Sequence, residues 1–255
     1  MQALNFSVVQ TQLFWEDIDA NLLHLSNSLD SVDRTDVVVL PEMFTTGFSM
    51  RPELFAKTST EKGLPWMQHL SERLDAAVMG SLMYEKDGKY YNAMAFVSPR
   101  KAPQFYYKRH LFSPGEESRH YTAGKEKLVV EYQGWKICPQ ICYDLRFPVF
   151  SRNTENYDLL VYSANWPEKR NFAWQQLLRA RAIENQCYVI ACNRIGEDGN
   201  GVNHIGNSCI VNYMGEEIGF GQEQKIFRFN LDKTSLEEYR KQFPVLEDRD
   251  DFILK

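Results

Sequence analysis

With 255 residues, 44% of them hydrophobic and 25% charged, the chain has ordinary globular composition, which excludes a disordered, collagen-like or disulfide-scaffold protein. A formal net charge of -5 with scattered Lys and Arg leaves no basic patch, so nucleic acid is not an expected partner. No apolar run reaches the roughly 18–20 residues that span a bilayer, so no membrane span is expected, and five cysteines suit free thiols in a reducing cytoplasm better than a set of bridges.

Residues 4–10 read as an opening strand, because the first residues lack the charged and long apolar regions of a cleavable leader. Helical spacing follows over 17–29, then a buried-looking strand at 37–40 that stops at Pro41. Residues 77–84, the Asp87-Gly88 turn and the aromatic-rich run 90–97 predict a hairpin. A second hairpin is expected over 127–141, turning near Gly134. Residues 159–163 read as a strand, 172–186 as a helix and 188–193 as a strand. The stretch 204–231 reads as short strands broken by Gly206, Gly215, Gly219 and Gly221, followed by a helix at 236–242 and a solvated acidic tail at 247–251. Strands alternate with helices while hairpins intrude, so the expected class is α/β with mixed sheets and helices on their outer faces. No linker or repeat interrupts the pattern, and 1–255 is expected to be one domain.

Three segments carry chemistry. In Lys136-Ile-Cys-Pro-Gln-Ile-Cys142-Tyr-Asp-Leu-Arg146-Phe-Pro148 a strand ends at a cysteine, a place from which sulfur can project into a cleft and where a helix start or a cation would lower its pKa. Alone, such a Cys is more often a small buried hydrophobe. In Val37-Val-Val-Leu-Pro41-Glu42 a carboxylate follows a core strand, where α/β proteins place ligand sites; alone it reads more often as a helix cap or a surface residue. In Phe105-Tyr-Tyr-Lys108-Arg109-His110-Leu111-Phe112 a lysine sits among aromatics, able to act as a fixed cation beside a thiolate and an oxyanion; alone it reads as a snorkelling surface lysine.

Taken in order, these segments resemble the Glu, Lys and Cys motifs of the nitrilase (carbon-nitrogen hydrolase) superfamily. Ser163-Ala-Asn-Trp166-Pro, Arg179-Ala-Arg181-Ala-Ile-Glu184-Asn-Gln and Asn193-Arg194-Ile-Gly196 are similar to its later blocks, and the wording is closest to the bacterial ω-amidase branch, which cleaves 2-oxoglutaramate-type amides. The resemblance implies a four-layer α-β-β-α sandwich that pairs into a homodimer. It implies Glu42 as general base, Lys108 at the oxyanion, Cys142 as the thioester-forming nucleophile and the Tyr143 backbone N–H as a second oxyanion donor. A further active-site carboxylate fits Glu117, with Glu116 as the alternative. Covalent acyl transfer of this kind calls for no metal and no cofactor.

Position at strand ends marks Phe48, Met50, Asn165 and Trp166 as expected lining of a pocket for a small-molecule amide. Arg146 either meets a substrate carboxylate or braces the cysteine turn by pairing with Asp144. A Cys-His protease would need His24, His69, His110, His120 or His204 beside Cys142, and none stands in a recognisable order. The Cys138/Cys142 and Cys187/Cys192 spacings lack the tight pairs of a zinc site. Nitrile, aliphatic amide or carbamoyl hydrolysis, or a non-catalytic binding module on the same scaffold, are the alternatives; the pocket decides among them.

Overall fold

The computed structural model describes residues 3–219 and 221–254. Strands β1 (Ala3–Gln10), β2 (Val37–Val39), β3 (Ala77–Lys86), β4 (Lys89–Val97) and β5 (Gln104–Tyr107) lie side by side in one mixed sheet. A second mixed sheet contains β6 (Val130–Tyr132), β7 (Trp135–Ile141), β8 (Leu159–Ala164) and β9 (Tyr188–Asn193). After a separate ribbon of β10 (Ile195–Glu197) and β11 (Asn203–Ile205), β12 (Cys209–Val211) and β13 (Glu217–Gly219) complete the second sheet. The chain then returns to the first, where β14 (Lys225–Asp232) runs antiparallel to β1. The helices are α1 (Ile18–Leu29), α2 (Pro52–Leu74), the single turns α3 (Glu117–His120) and α4 (Pro148–Ser151), α5 (Asn171–Asn185) and α6 (Lys233–Gln242).

Strand alternation decides the layers. Phe6, Val8, Val37, Val39, Ala77 and Met79 of the first sheet meet Ile137, Ile141, Leu159, Val161 and Ile190 of the second in a shared apolar layer. The intervening residues Val9, Val38, Val78 and Leu82 pack under α1 and α2, and Leu160, Tyr162, Val189 and Ala191 pack under α5. The result is the α-β-β-α sandwich, in which each wholly buried Val, Leu or Ile contributes about 1.5–3 kcal/mol of transfer free energy. Asp17 caps α1 by accepting from the Ala20 N–H. At the first hairpin Asp87 and Gly88 take φ values of 52° and 68°, the left-handed pair that a tight two-residue turn requires.

Three features differ from the sequence reading. The longest helix, α2, was not anticipated: its buried face is Pro52, Ala56, Ser59, Gly63, Met67, Leu70 and Ser71, too many small residues to give an apolar stripe, and Pro65 lies inside it. At Gly63 a Cβ would come within 3.1 Å of the Thr45 side chain, which would have to give by a few tenths of an ångström. Strand β5 pairs with β4 and so carries the lysine segment into the sheet. The acidic stretch 247–251 is exposed apart from half-buried Arg249, as expected, but the short helical turn Val245–Asp248, anchored by buried Leu246, is absent from the sequence reading. Among the described residues no helix is long and apolar enough to cross a membrane.

Candidate active site

Glu42 stands just beyond β2, at the carboxyl edge of the first sheet, and is wholly buried. The end of β8 grips it from the other sheet: the Asn165 N–H donates to Glu42 Oε2 at 2.8 Å and the Asn165 amide to the Glu42 carbonyl at 2.6 Å. Ser163 Oγ donates to the Leu40 carbonyl at 2.7 Å, so the two sheets are tied on both sides of Pro41. Lys108 follows β5, its N–H continuing the ladder to the Asn92 carbonyl at 2.9 Å. Gly124 lies against this segment, donating to the Lys108 carbonyl at 2.9 Å; a Cβ there would fall 2.1 Å from the Tyr107 carbonyl oxygen, so only glycine fits.

Lys108 Nζ sits between two carboxylates, 2.8 Å from Glu42 Oε1 and 2.9 Å from Glu117 Oε2, with all three side chains fully buried. The Phe112 N–H holds Glu117 Oε2 at 2.6 Å. The Asn92 amide bridges the carboxylates, donating to Glu42 Oε1 at 2.8 Å and to Glu117 Oε1 at 3.0 Å. Of the two candidate carboxylates, Glu117 therefore lies at the lysine, whereas exposed Glu116 pairs with Arg119. Burial disfavours the charge on Lys108, but Glu117 and Glu42 outweigh it and hold the ammonium above its ordinary value. Burial pushes the Glu117 carboxyl up; Lys108 opposes this and Glu42 adds to it.

Cys142 begins the turn that follows β7, with φ at 42°. Met43, directly after Glu42, is likewise left-handed at φ 47°. Non-glycine residues held in this region cost of order 1–3 kcal/mol and persist only where their surroundings over-determine them. At Cys142 that surrounding is buried Asp144. It accepts from the Ile141 N–H at 3.0 Å, the Tyr106 hydroxyl at 2.7 Å and the His110 N–H at 2.9 Å, and contacts His110 Nδ1 at 2.8 Å. This carboxylate fastens the cysteine turn to both flanks of Lys108. Arg146 does not pair with it, which removes the bracing role from the sequence reading. The expected lowering of the thiol pKa is also corrected: burial first and Glu42 second push Cys142 well above the ordinary thiol value, against Lys108 and the Asn165 N–H. The resting group is a thiol that needs a base.

Above these groups is a cavity of about 150 Å³, smaller than the roughly 300–1,000 Å³ of sites for drug-sized ligands. Glu42, Phe48, Met50, Cys142, Tyr143, Arg146, Asn165 and Trp166 all line it, so the expected pocket residues converge. Phe48 also forms a ring face 5.1 Å from Lys108 Nζ. The sequence reading missed Asn92, Arg170 and Asp198 at the ribbon tip, and weighed His204 of β11 only as a protease-type partner of Cys142. Asn92 is the one polar residue in the run from Ala93 back to Tyr90 and on to Val97 that is neither a hydroxylated ring nor apolar, and Arg170 follows Trp166 just past a core strand; those positions were the available signals. Among the described residues no group of three or more His, Cys, Asp or Glu is placed to hold a metal ion.

The comparisons with known proteins agree with this geometry. The family described as Carbon-nitrogen hydrolase matches residues 6–241. Omega-amidase YafV of Yersinia enterocolitica is 45% identical over 256 residues, covering 100% of both chains, and 2-oxoglutaramate amidase of Bacillus subtilis (strain 168) is 34% identical over 84% of each. The crystal structure of a CN-hydrolase superfamily protein from Xanthomonas campestris, which carries an arsenic adduct in its active site, superposes with a TM-score of 0.94 at 37% identity over 100% of both chains. A buried Glu-Lys-Glu cluster beneath a cysteine turn, in a sandwich shared from end to end with such relatives, places the chain in the carbon-nitrogen hydrolase family, to which it belongs.

Proposed function

We propose that the protein is an ω-amidase that hydrolyses the terminal amide of 2-oxoglutaramate or 2-oxosuccinamate to a carboxylate and ammonia. The observation that carries this reading is the buried Lys108, shared by Glu42 and Glu117 behind a small pocket that Glu42 and Cys142 line; the relatives named omega-amidase and 2-oxoglutaramate amidase support the substrate. Glu42 removes the Cys142 proton and the sulfur attacks the amide carbon. The oxyanion is met by Lys108 Nζ and by the Tyr143 N–H, which lies in the first turn after the strand where no acceptor within the turn is available. Glu42 passes the proton to the leaving nitrogen, ammonia departs and a thioester remains. Water, deprotonated by Glu42, attacks the thioester; the acid leaves and the thiol is restored. Glu117 keeps Lys108 charged and in place throughout.

The same reading takes residues 1–255 as one hydrolase domain acting in the cytoplasm, supported by five free thiols. It also takes the enzyme as a homodimer, for which exposed Phe172 and Ile183 of α5 offer apolar surface; sedimentation mass tests that part. The activity is tested by ammonia release from 2-oxoglutaramate, glutamine, an aliphatic amide and a nitrile, each with a Cys142→Ala control. Release from 2-oxoglutaramate that the control lacks is expected. Release from another compound alone would move the substrate, and silence on all four would favour a binding module.

A further inference from the structure

Two guanidinium groups line the pocket, those of Arg146 and Arg170. No carboxylate among the described residues lies within ion-pair distance of either. Glu42 is committed to Lys108, Asn92 and Asn165. Asp198, the other acidic residue of the lining, turns into its own loop, where Oδ1 accepts the Asn200 N–H at 2.8 Å and the Val202 N–H at 3.0 Å. His204 is engaged with the Gly196 carbonyl at 3.2 Å.

The guanidinium groups are nevertheless held by built supports. Arg146 lies over the Trp166 ring, 4.9 Å from its centroid, and Arg170 over the Phe112 ring at 5.1 Å. Trp166 serves both, since its indole N–H donates to the Arg170 carbonyl at 2.8 Å. Phe112 is fixed in turn by its N–H on Glu117 and by the edge of Tyr143 at 5.0 Å. Stacking on an aromatic face leaves the in-plane N–H fork of an arginine open to an anion. Burial first, and then repulsion by Arg146, hold Arg170 below its ordinary value, against Cys142. Two like charges kept together in a small, partly dry pocket whose carboxylates, Glu42 and Asp198, are engaged with other partners are a site awaiting an anion.

We propose that Arg146 and Arg170 form a clamp for the carboxylate at the far end of the amide substrate, and that Arg170 is its specificity-determining member. The inference rests on the ω-amidase reading and extends it: the class of substrate is an amide whose other end is an anionic acid, held by the forks of two arginines while its amide carbon faces Cys142. Arg146 belongs to the cysteine turn itself, whereas Arg170 comes from the segment after β8, so the second cation can be changed without touching the element that carries the nucleophile.

The test compares wild type, Arg170→Gln and Arg170→Lys on 2-oxoglutaramate and on pentanamide, a neutral amide of the same chain length. Arg170→Gln is expected to raise KM for 2-oxoglutaramate about 10- to 100-fold, the usual effect of losing a charge-assisted hydrogen bond, with kcat/KM for pentanamide within about twofold, and Arg170→Lys to restore part of the loss. Parallel decline on both substrates, or no change in their ratio, would overturn the clamp. If the wild type itself does not cleave 2-oxoglutaramate, the substrate reading fails separately. The clamp is then read from protection of Cys142 against iodoacetamide by 2-oxoglutarate: protection lost in Arg170→Gln supports it, and equal protection in both proteins overturns it.

Discussion

The floor and the mouth of the pocket are opposites. At the floor one cation, Lys108, is outnumbered by two carboxylates that both contact it; at the mouth two cations, Arg146 and Arg170, lie on aromatic rings with no carboxylate in ion-pair contact. A dry, fully partnered cluster costs little reorganisation when charge develops during a reaction, which is the property that oxyanion stabilisation needs. An unpartnered pair gains most when a ligand supplies the missing charge. On the proposed roles, chemistry and selection draw on different charge balances within one pocket.

The largest effect on this contrast is expected from Lys108→Met. It leaves Glu42 and Glu117 facing each other without a cation, and removing one partner from a buried ion pair costs about 3–5 kcal/mol. Losing an oxyanion donor should also lower kcat by on the order of 100-fold or more. Thermal unfolding and steady-state rates read the two losses, and adding Glu117→Gln should recover stability but not turnover. Equal recovery of both would mean that Lys108 is only a structural counter-ion.

Next comes Glu42→Gln, which separates thiol acidity from catalysis. Because Glu42 pushes the Cys142 pKa up, its neutral replacement should move the pH midpoint of alkylation by iodoacetamide downward while amide turnover collapses. An upward midpoint would contradict the charge arrangement at the floor.

A smaller loss is expected at Asp144, which joins the cysteine turn to the lysine segment. Tyr106→Phe removes one of its hydrogen bonds, and a bond to a charged group contributes about 1.5–3 kcal/mol. Denaturant unfolding should show that loss, with KM for the amide nearly unchanged. A large change in KM at full stability would move Tyr106 from support to substrate contact.

How much of this was legible in the sequence depended on whether the signal was local. The strand at 188–193 and the ends of the hairpins were readable because a continuous apolar run and Asp-Gly or Gln-Gly turns are written in adjacent residues. Glu42 and Cys142 were readable because each follows an apolar run that reads as a strand, where the sheet edge gathers side chains, and Lys108 because it sits among aromatics. Helix α2 was not, since Gly63, Ser59 and Ala56 pack by close approach and not by apolar bulk. Nor was the raised pKa of Cys142, because it depends on burial and on Glu42, a hundred residues earlier in the chain and brought near only by the facing sheets. Arg170 escaped notice for the same reason: a charged residue after a strand looks solvated until its rings and the missing anion are seen.

The smallest expected effect concerns pH and belongs to the floor alone. Burial and Glu42 hold the Glu117 carboxyl above its ordinary value of 4.5, so the folded protein binds a proton there more tightly than the unfolded chain does. The stability this contributes is fully present below the ordinary value and is lost as pH rises through the raised one. Glu117→Gln should therefore flatten the fall in unfolding free energy on the alkaline side of pH 4.5, as read from denaturant melts across a pH series. Arg170→Gln should leave that slope as it is, because an arginine at the mouth stays protonated throughout the window. A slope that follows Arg170 and ignores Glu117 would show that the two ends of the pocket share one electrostatic unit, and the division of labour between them would have to be abandoned.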